Sequence, residues 1–306
     1  MTADPLLSVI VATFNACETI RTCLRSLAAQ TARSSMEVIV VDSSSDGTIG
    51  IVRSEFPWVR CIVFPQRKYC GDARNAGLIQ ARGRIIALTD ADCTPQEQWA
   101  KKILEAHNKN LALAIGGAIA NGNPESLIGW AAYFCEFSAW MPGSPAGSRA
   151  DIAGANMSYK REAFDRYGIF IAGTYCSDTE FHWRLQRDGL SLRFDPAMQV
   201  SHRNISSFKR FLVHEFQHGR SFARVRVKAQ CFSLVRRMVY ALFFGLIAAK
   251  LLLQIIGWNL RTRKYIRNFC ASFPLTLVGV ITWSLGEASG YMRSHPSTEA
   301  GAKISH

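Results

Sequence analysis

The first 120 residues predict an α/β fold built on a mostly parallel sheet with helices on both faces. Three observations carry that prediction. Short β-branched apolar runs recur that are too short for helices. Segments with helical spacing separate them. The runs are also apolar throughout rather than alternating, as in strands covered on both faces.

Residues 6–14 (LLSVIVATF) form the first such run, and in residues 17–29 Ile20, Leu24 and Leu27 fall on one helical face. Residues 36–41 (MEVIVV) read as a second buried strand, ended by Asp42 and a Ser/Asp/Gly turn. Residues 46–56 read as a helix, 58–64 as a third strand, 70–82 as a helix, 84–89 (RIIALT) as a fourth strand and 96–109 as a helix. Between 111 and 200 the pattern is mixed. A Gly/Pro/Ser-rich loop occupies 141–148, a helix is expected over 178–188 before Gly189, and strands over 190–194 and near 198–201. Two long apolar stretches follow: 238–260, interrupted by Lys250 and Gln254, and 269–285, with Pro274 inside. Either is long enough to enter or cross a bilayer. The tail, 294–306, is polar and expected to fray.

Charge is distributed unevenly. The 306 residues carry a formal +13, yet residues 1–200 hold 20 basic and 20 acidic side chains. Residues 201–267 hold 14 Lys/Arg against one carboxylate, Glu215, so the excess is local. That excludes a uniformly cationic nucleic-acid protein and points to one anionic partner near this segment. With 48% hydrophobic and 19% charged residues, intrinsic disorder is excluded as well. Nine cysteines, with no CxxC pair and no zinc-like Cys/His spacing, read as reduced thiols. Residues 1–5 lack a basic leader, so no cleaved signal peptide is expected, and the chemistry is expected on the cytosolic side.

In a parallel sheet, ligands bind beyond the carboxyl ends of the strands. The strands here end in Thr13 and Asn15, in Asp42, and in Asp90 and Asp92. Thr89-Asp90-Ala91-Asp92 sets two carboxylates where a buried strand opens into a loop. That arrangement suits Mg²⁺ or Mn²⁺ shared with substrate phosphates, or else a solvated helix-capping turn. The loop from Asp42 to Thr48 could turn around a nucleoside, and Arg74-Asn75 would lie on a helix starting near the same rim.

Six blocks, in order, give the chain a resemblance: Ser8 to Asn15, Val40 to Thr48, Ala73 to Gly77, Leu88 to Asp92, Gly154-Ala-Asn156, and Ser177 to Gly189. Together they cover about residues 6–220. They resemble the inverting family 2 glycosyltransferases of the GT-A fold, a Rossmann-like sheet flanked by helices. The resemblance implies that Thr13, Asn15 and Glu18 line a nucleotide pocket and that Asp42 accepts hydrogen bonds from the base. It implies that Arg74 approaches the nucleotide-sugar, that Asp90 faces its ribose or sugar, and that Asp92 binds the divalent metal. Asp178 matches the second residue of the family's Glu-Asp pair and would be the general base. Ser177 stands where Glu is usual, which bears on acceptor geometry. Glu180 and Arg184 face partly the same way, or form a surface ion pair. The implied reaction is attack of an acceptor hydroxyl on the anomeric carbon as a nucleoside diphosphate leaves. The donor leans to a UDP-sugar, and the acceptor is a glycan or a lipid-linked molecule.

Asn156, His202 and Arg220 are further candidates for diphosphate or acceptor contacts. Gln217-His-Gly-Arg220 partly matches the Gln-x-x-Arg-Trp element of processive relatives, but Ser221 replaces the Trp. His214-Glu-Phe-Gln-His218 has zinc-protease spacing. It is followed by basic and apolar sequence, so a metalloprotease is not expected. Basic and aromatic residues interleave over 203–237, next to the apolar stretches. That favours an anionic membrane surface over nucleic acid. The expected organisation is a catalytic domain over 1–220, a membrane-associated helical region over 221–293 and the tail, at the cytoplasmic face of a cell membrane. A non-catalytic nucleotide-sugar-binding scaffold on the same fold is the alternative, hinted at by Ser177.

Overall fold

The computed structural model describes residues 4–293. The tail reading at 294–306 lies outside them.

The chain begins with β1 (Leu7–Thr13), α1 (Ile20–Ala28), β2 (Met36–Asp42), α2 (Thr48–Glu55), β3 (Arg60–Val63), α3 (Cys70–Gln80) and β4 (Ile85–Asp90). Strands β3, β2, β1 and β4 lie side by side in that order and all pair in parallel. Neighbouring residues of β1 face opposite layers. Leu7, Val9 and Val11 pack with α1, while Ile10 packs with Ala73 and Leu78 of α3. Both faces of the sheet are therefore covered, as the continuous runs imply.

The second half is mixed. It comprises β5 (Cys93–Pro95), α4 (Trp99–Lys109), β6 (Ala114–Asn121), α5 (Leu127–Phe137), β7 (Gly147–Arg149), β8 (Asn156–Lys160), α6 (Arg161–Tyr167), α7 (Ser177–Arg187) and β9 (Leu192–His202). β8 runs antiparallel between β4 and β6, and β9 continues the sheet parallel to β6. The two short strand signals at 190–194 and 198–201 are one strand, β9, whose register with β6 shifts between Gly117 and Ala118. This irregularity explains why the pattern reads as broken.

The chain ends in four helices: α8 (Phe208–Ala229), α9 (Leu234–Leu242), α10 (Phe244–Thr262) and α11 (Ile266–Arg293). Residue 220 lies within α8, so the helix continues through that position. α10 and α11 are both long and apolar enough to cross a membrane. α11, however, is docked on the catalytic half along its length. Tyr265 and Phe269 meet Trp130 and Phe134 of α5 at ring distances of 5.0 and 5.1 Å. Farther along, the backbones of α8 and α11 nearly touch. A Cβ on Gly219 would lie 2.0 Å from the Trp283 carbonyl, and one on Gly286 would lie 2.1 Å from the Phe216 carbonyl. Only glycine permits that approach. By contrast, Leu242, Leu246, Leu253 and Leu260 on α9 and α10 point outward.

Candidate active site

The carboxyl ends of β1, β2 and β4 form one rim, and the polar residues there hold each other. Thr13 donates to Asp42 Oδ1 at 2.6 Å, and the Ser44 hydroxyl donates to the same oxygen at 2.6 Å. Asp42 is fully buried, and its carboxylate anchors the loop after β2. Asn15 sits at φ 51°, the left-handed conformation that Asn tolerates, and its side-chain oxygen accepts from the Ser45 backbone at 2.9 Å. Asn15 therefore lies exposed at the mouth of the rim beside Ser44 and Ser45. Glu18 is 80% exposed and 4.0 Å from Arg203.

Arg74 joins the two sides of the site. It is 4% exposed. Its Nη2 donates to Asp90 Oδ1 and to the Gly154 carbonyl, both at 3.1 Å, and its Nη1 lies 3.6 Å from Asp178 Oδ2. The flanking carboxylates hold the guanidinium firmly charged despite burial. Burial raises the Asp90 pKa even with Arg74 beside it. The strand end of β4 and the first turn of α7 are thereby bound to one buried cation.

Beside Asp90, His202 at the end of β9 turns Nε2 to 3.4 Å from Asp92 Oδ1. Its Nδ1 donates to Asn204 Oδ1 at 2.9 Å, which leaves Nε2 as the ring nitrogen turned toward Asp92. Asp92, His202 and the buried Cys93 are close enough for one ion. Burial alone would depress the His202 pKa, but Asp92, Glu136 and Asp90 raise it. Asn156 is fully buried and acts as scaffold. Its amide donates to the Ala118 and Met198 carbonyls, and its oxygen accepts from Trp99 at 2.8 Å. Burial and the neighbouring Arg224 and Arg293 lower the pKa of Arg220 on α8. Glu180 and Arg184 form an i,i+4 ion pair at 2.9 Å, and Arg184 also donates to the Ile169 carbonyl at 2.7 Å, within the fold of that segment.

Ser177 is 2% exposed, and a Cβ on Gly71 would lie 2.4 Å from its hydroxyl oxygen. The contact between α3 and α7 thus leaves no room for a longer side chain at 177. A Cβ on Gly154 would fall 2.5 Å from Asp178 Oδ2, so the backbone itself walls the Asp178 carboxylate.

Further polar groups near the site lie outside the six matched blocks. Asp151 holds α7 in place: it accepts from the Thr179 hydroxyl at 3.1 Å and pairs with the buried His182, whose Nε2 meets the Tyr159 hydroxyl at 2.6 Å. Glu136 of α5 pairs with His214 of α8 at 2.8 Å. Burial opposes both charges, but each group stabilises the other's, taking Glu136 down to about 2 and His214 up to about 9. Burial and the neighbouring His214 lower the pKa of His218, one turn on. The His214/His218 spacing on the basic helix signals that both face one way. What they face depends on docking between helices far apart in sequence.

Comparisons with known proteins identify the family and the fold. The sequence model of the family described as "Glycosyl transferase family 2" matches residues 8–168, more than half of the chain. Glycosyltransferase AglE of Haloferax volcanii is 29% identical over 198 residues, covering 62% of this chain and 64% of that protein. Succinoglycan biosynthesis protein ExoO of Rhizobium meliloti is 35% identical over 120 residues, or 39% of this chain and 33% of that one. Probable glycosyltransferase YdaM of Bacillus subtilis is 25% identical over 260 residues, covering 78% and 61%. The chain therefore spans less than two thirds of the length of these curated relatives. Among solved structures, the mannosyltransferase PcManGT from Pyrobaculum calidifontis, in complex with GDP-Man and Mn²⁺, aligns with a TM-score of 0.64 at 18% identity. That alignment covers 96% of this chain and 89% of that one, and it shows a shared fold.

Proposed function

The chain belongs to glycosyl transferase family 2, and from that premise we propose that it moves a sugar, with inversion, from a nucleoside-diphosphate donor to an acceptor hydroxyl. The supporting observation is the Arg74 clamp, which holds a metal-side carboxylate, Asp90, and an acceptor-side carboxylate, Asp178, on one guanidinium. In this reading Thr13, Asn15, Glu18 and Asp42 form the nucleotide rim, with a UDP-sugar or a GDP-sugar as donor. The structural neighbour's complex with GDP-Man brings guanosine into consideration beside uridine.

A divalent metal fits the residues present. Asp92 offers a carboxylate oxygen, and His202 offers an Nε2 whose lone pair is freed by the Nδ1–Asn204 bond. Mg²⁺ or Mn²⁺ held there would stabilise charge growing on the leaving diphosphate. Asp178 takes the proton of the attacking hydroxyl. Arg74, fixed at 3.6 Å, keeps that carboxylate oriented, and Asp151 with His182 anchors the helix turn that carries it. Asp178 has no Glu before it to place the acceptor, and the buried Ser177 leaves that task to other side chains. Ser177 therefore gives no support to a non-catalytic scaffold.

The helical region from 221 to 293 serves in this proposal as an interfacial anchor at the cytoplasmic face of a membrane, beside the catalytic domain over 1–220. The exposed leucines of α9 and α10 enter the acyl boundary, and the neighbouring Arg261, Arg263, Lys264 and Arg267 meet anionic headgroups. Docking of α11 on α5 and α8 supports helices lying at the surface over a free two-helix hairpin. The acceptor is then a glycan or a lipid-linked molecule at that surface.

The test incubates the full chain in vesicles with UDP- and GDP-sugars and Mn²⁺ or EDTA, and reads the product anomer by ¹H NMR. Metal-dependent transfer with inverted configuration is expected. Retained configuration would refute the mechanism, and nucleotide binding without turnover would refute catalysis.

A further inference from the structure

One face of α10 carries a groove of about 630 Å³. Leu246, Lys250, Leu253, Gly257, Trp258 and Arg261 line it, at the spacing that stacks side chains along a single helical face. From Leu246 to Arg261 it runs about 22 Å, longer than the roughly 15 Å that an acyl chain spans in one leaflet. Gly257 keeps it open, since a Cβ there would meet nothing within 4 Å. The groove is apolar along much of its length, where Leu246 and Leu253 are 67% and 68% exposed. Its C-terminal end is cationic. Two guanidiniums lie over the Trp258 ring, that of Arg149 at 5.1 Å and that of Arg261 at 5.7 Å. Arg149 belongs to β7, so the catalytic half supplies one of the two cations. Its Nη atoms donate to the Ser148 and Pro145 carbonyls of its own loop. The same loop touches the end of α10, where a Cβ on Gly143 would lie 3.4 Å from Thr262. Among the described residues, no carboxylate forms an ion pair with Arg149, Lys250 or Arg261.

We propose that this groove holds one anionic phospholipid, with its phosphate beside Arg149 and Arg261 and an acyl chain along Leu253 and Leu246. The proposal rests on the interfacial reading of the C-terminal helices and narrows it from a general attraction to one site. Two arginines without a carboxylate match a phosphate in charge and in hydrogen-bond geometry. The Trp258 indole suits the boundary between headgroup and chain. Lys250 can raise its ammonium to the headgroup level while its stem lies along the chain. A second copy of this face would set the same cations against each other. An apolar protein helix would bury them without partners. Arg149 stands two residues before Asp151, which accepts from the Thr179 hydroxyl of α7. A headgroup held at Arg149 therefore ties the membrane surface to the segment that supports Asp178.

The experiment takes the full chain in dodecyl maltoside and adds palmitoyl-oleoyl phosphatidylglycerol, the matching phosphatidylcholine, or inorganic phosphate. Native mass spectrometry counts the molecules bound. One phosphatidylglycerol per chain should be retained at concentrations where phosphatidylcholine and inorganic phosphate are not. Arg149→Gln and Arg261→Gln should each weaken that retention about tenfold, the scale of one charged hydrogen bond. Gly257→Leu fills the groove while favouring the helix, and should weaken retention by a similar factor. Arg263→Gln combined with Arg267→Gln removes two cations that do not line the groove, and should stay within about twofold of the parent. Thermal melts without lipid should match the parent in every variant, which reports folding. Four results would overturn the proposal: phosphatidylcholine or inorganic phosphate bound as tightly as phosphatidylglycerol, a lipid-free protein dimer, groove variants that retain phosphatidylglycerol like the parent, or an equal loss in the Arg263/Arg267 pair. Failure of the parent chain to sediment with anionic vesicles would instead remove the interfacial reading beneath it.

Discussion

Replacing Arg74 with Met tests the clamp directly. The substitution keeps much of the side chain's length and removes a guanidinium that is 4% exposed. It leaves Asp90, 3.1 Å away, and Asp178, 3.6 Å away, without their shared cation. Removing one partner of a fully buried pair costs about 3–5 kcal/mol. The Asp90 and Asp178 side chains are 27% and 19% exposed, so water recovers part of that cost. A loss of about 2–3 kcal/mol is expected, equivalent to a fall in melting temperature of about 5–8 °C. Its pH dependence is diagnostic. The Asp90 pKa already lies above the 3.8 of a free Asp because of burial, and losing Arg74 raises it further. A carboxyl raised in the folded state destabilises above its folded pKa, and the cost fades as pH falls toward 3.8. The stability gap between variant and parent should therefore be widest near neutral pH and narrow toward about pH 4. Thermal melts across that range supply the assay. A gap independent of pH would refute the electrostatic account and reduce Arg74 to a packing residue.

Other substitutions probe neighbouring parts. In Gly154→Ala the new Cβ would lie 2.5 Å from Asp178 Oδ2 and 3.1 Å from Arg74 Nη2, so transfer should fall at least about tenfold while nucleotide affinity holds. Equal activity would mean that the Asp178 position is not critical. Asp92→Asn and His202→Gln should each weaken Mn²⁺ binding by about 10–100-fold in calorimetry with UDP or GDP present. Unchanged affinity in either variant removes that residue from the metal site. Leu246→Asp combined with Leu253→Asp should abolish co-sedimentation with anionic vesicles, since both leucines are more than 60% exposed. Vesicle binding that survives would place the anchor elsewhere.

The catalytic half was legible because its signals are local. The strands β1, β2 and β4 are nearly continuous apolar runs that end in polar residues at the rim, so Asp90 and Asp92 could be placed at a strand end from sequence alone. Asp178 came only through the family resemblance, which matches it to the second residue of a Glu-Asp pair. β6 and β8 were not separable in the mixed stretch, because a central strand such as AIGGAIAN carries glycines where backbones crowd: a Cβ on Gly117 would lie 2.0 Å from the Met198 carbonyl. The apolar run 238–260 reads as one unit, whereas the chain breaks at Phe243 between α9 and α10. Arg74 was expected to approach the donor, yet its three short contacts, to Asp90, Gly154 and Asp178, come from three other segments. The Glu136–His214 pair is likewise a product of docking between helices far apart in sequence. No spacing rule anticipates such contacts.

The central claim is that Asp178 is the base on the acceptor side of a metal-dependent donor site. The most direct measurement compares sugar transfer and Mn²⁺-dependent nucleotide affinity in Asp178→Asn and in the parent chain. The account predicts that transfer falls at least about a thousandfold while nucleotide affinity stays within about twofold. Transfer that persists near the parent rate, with the nucleotide still bound, would contradict it.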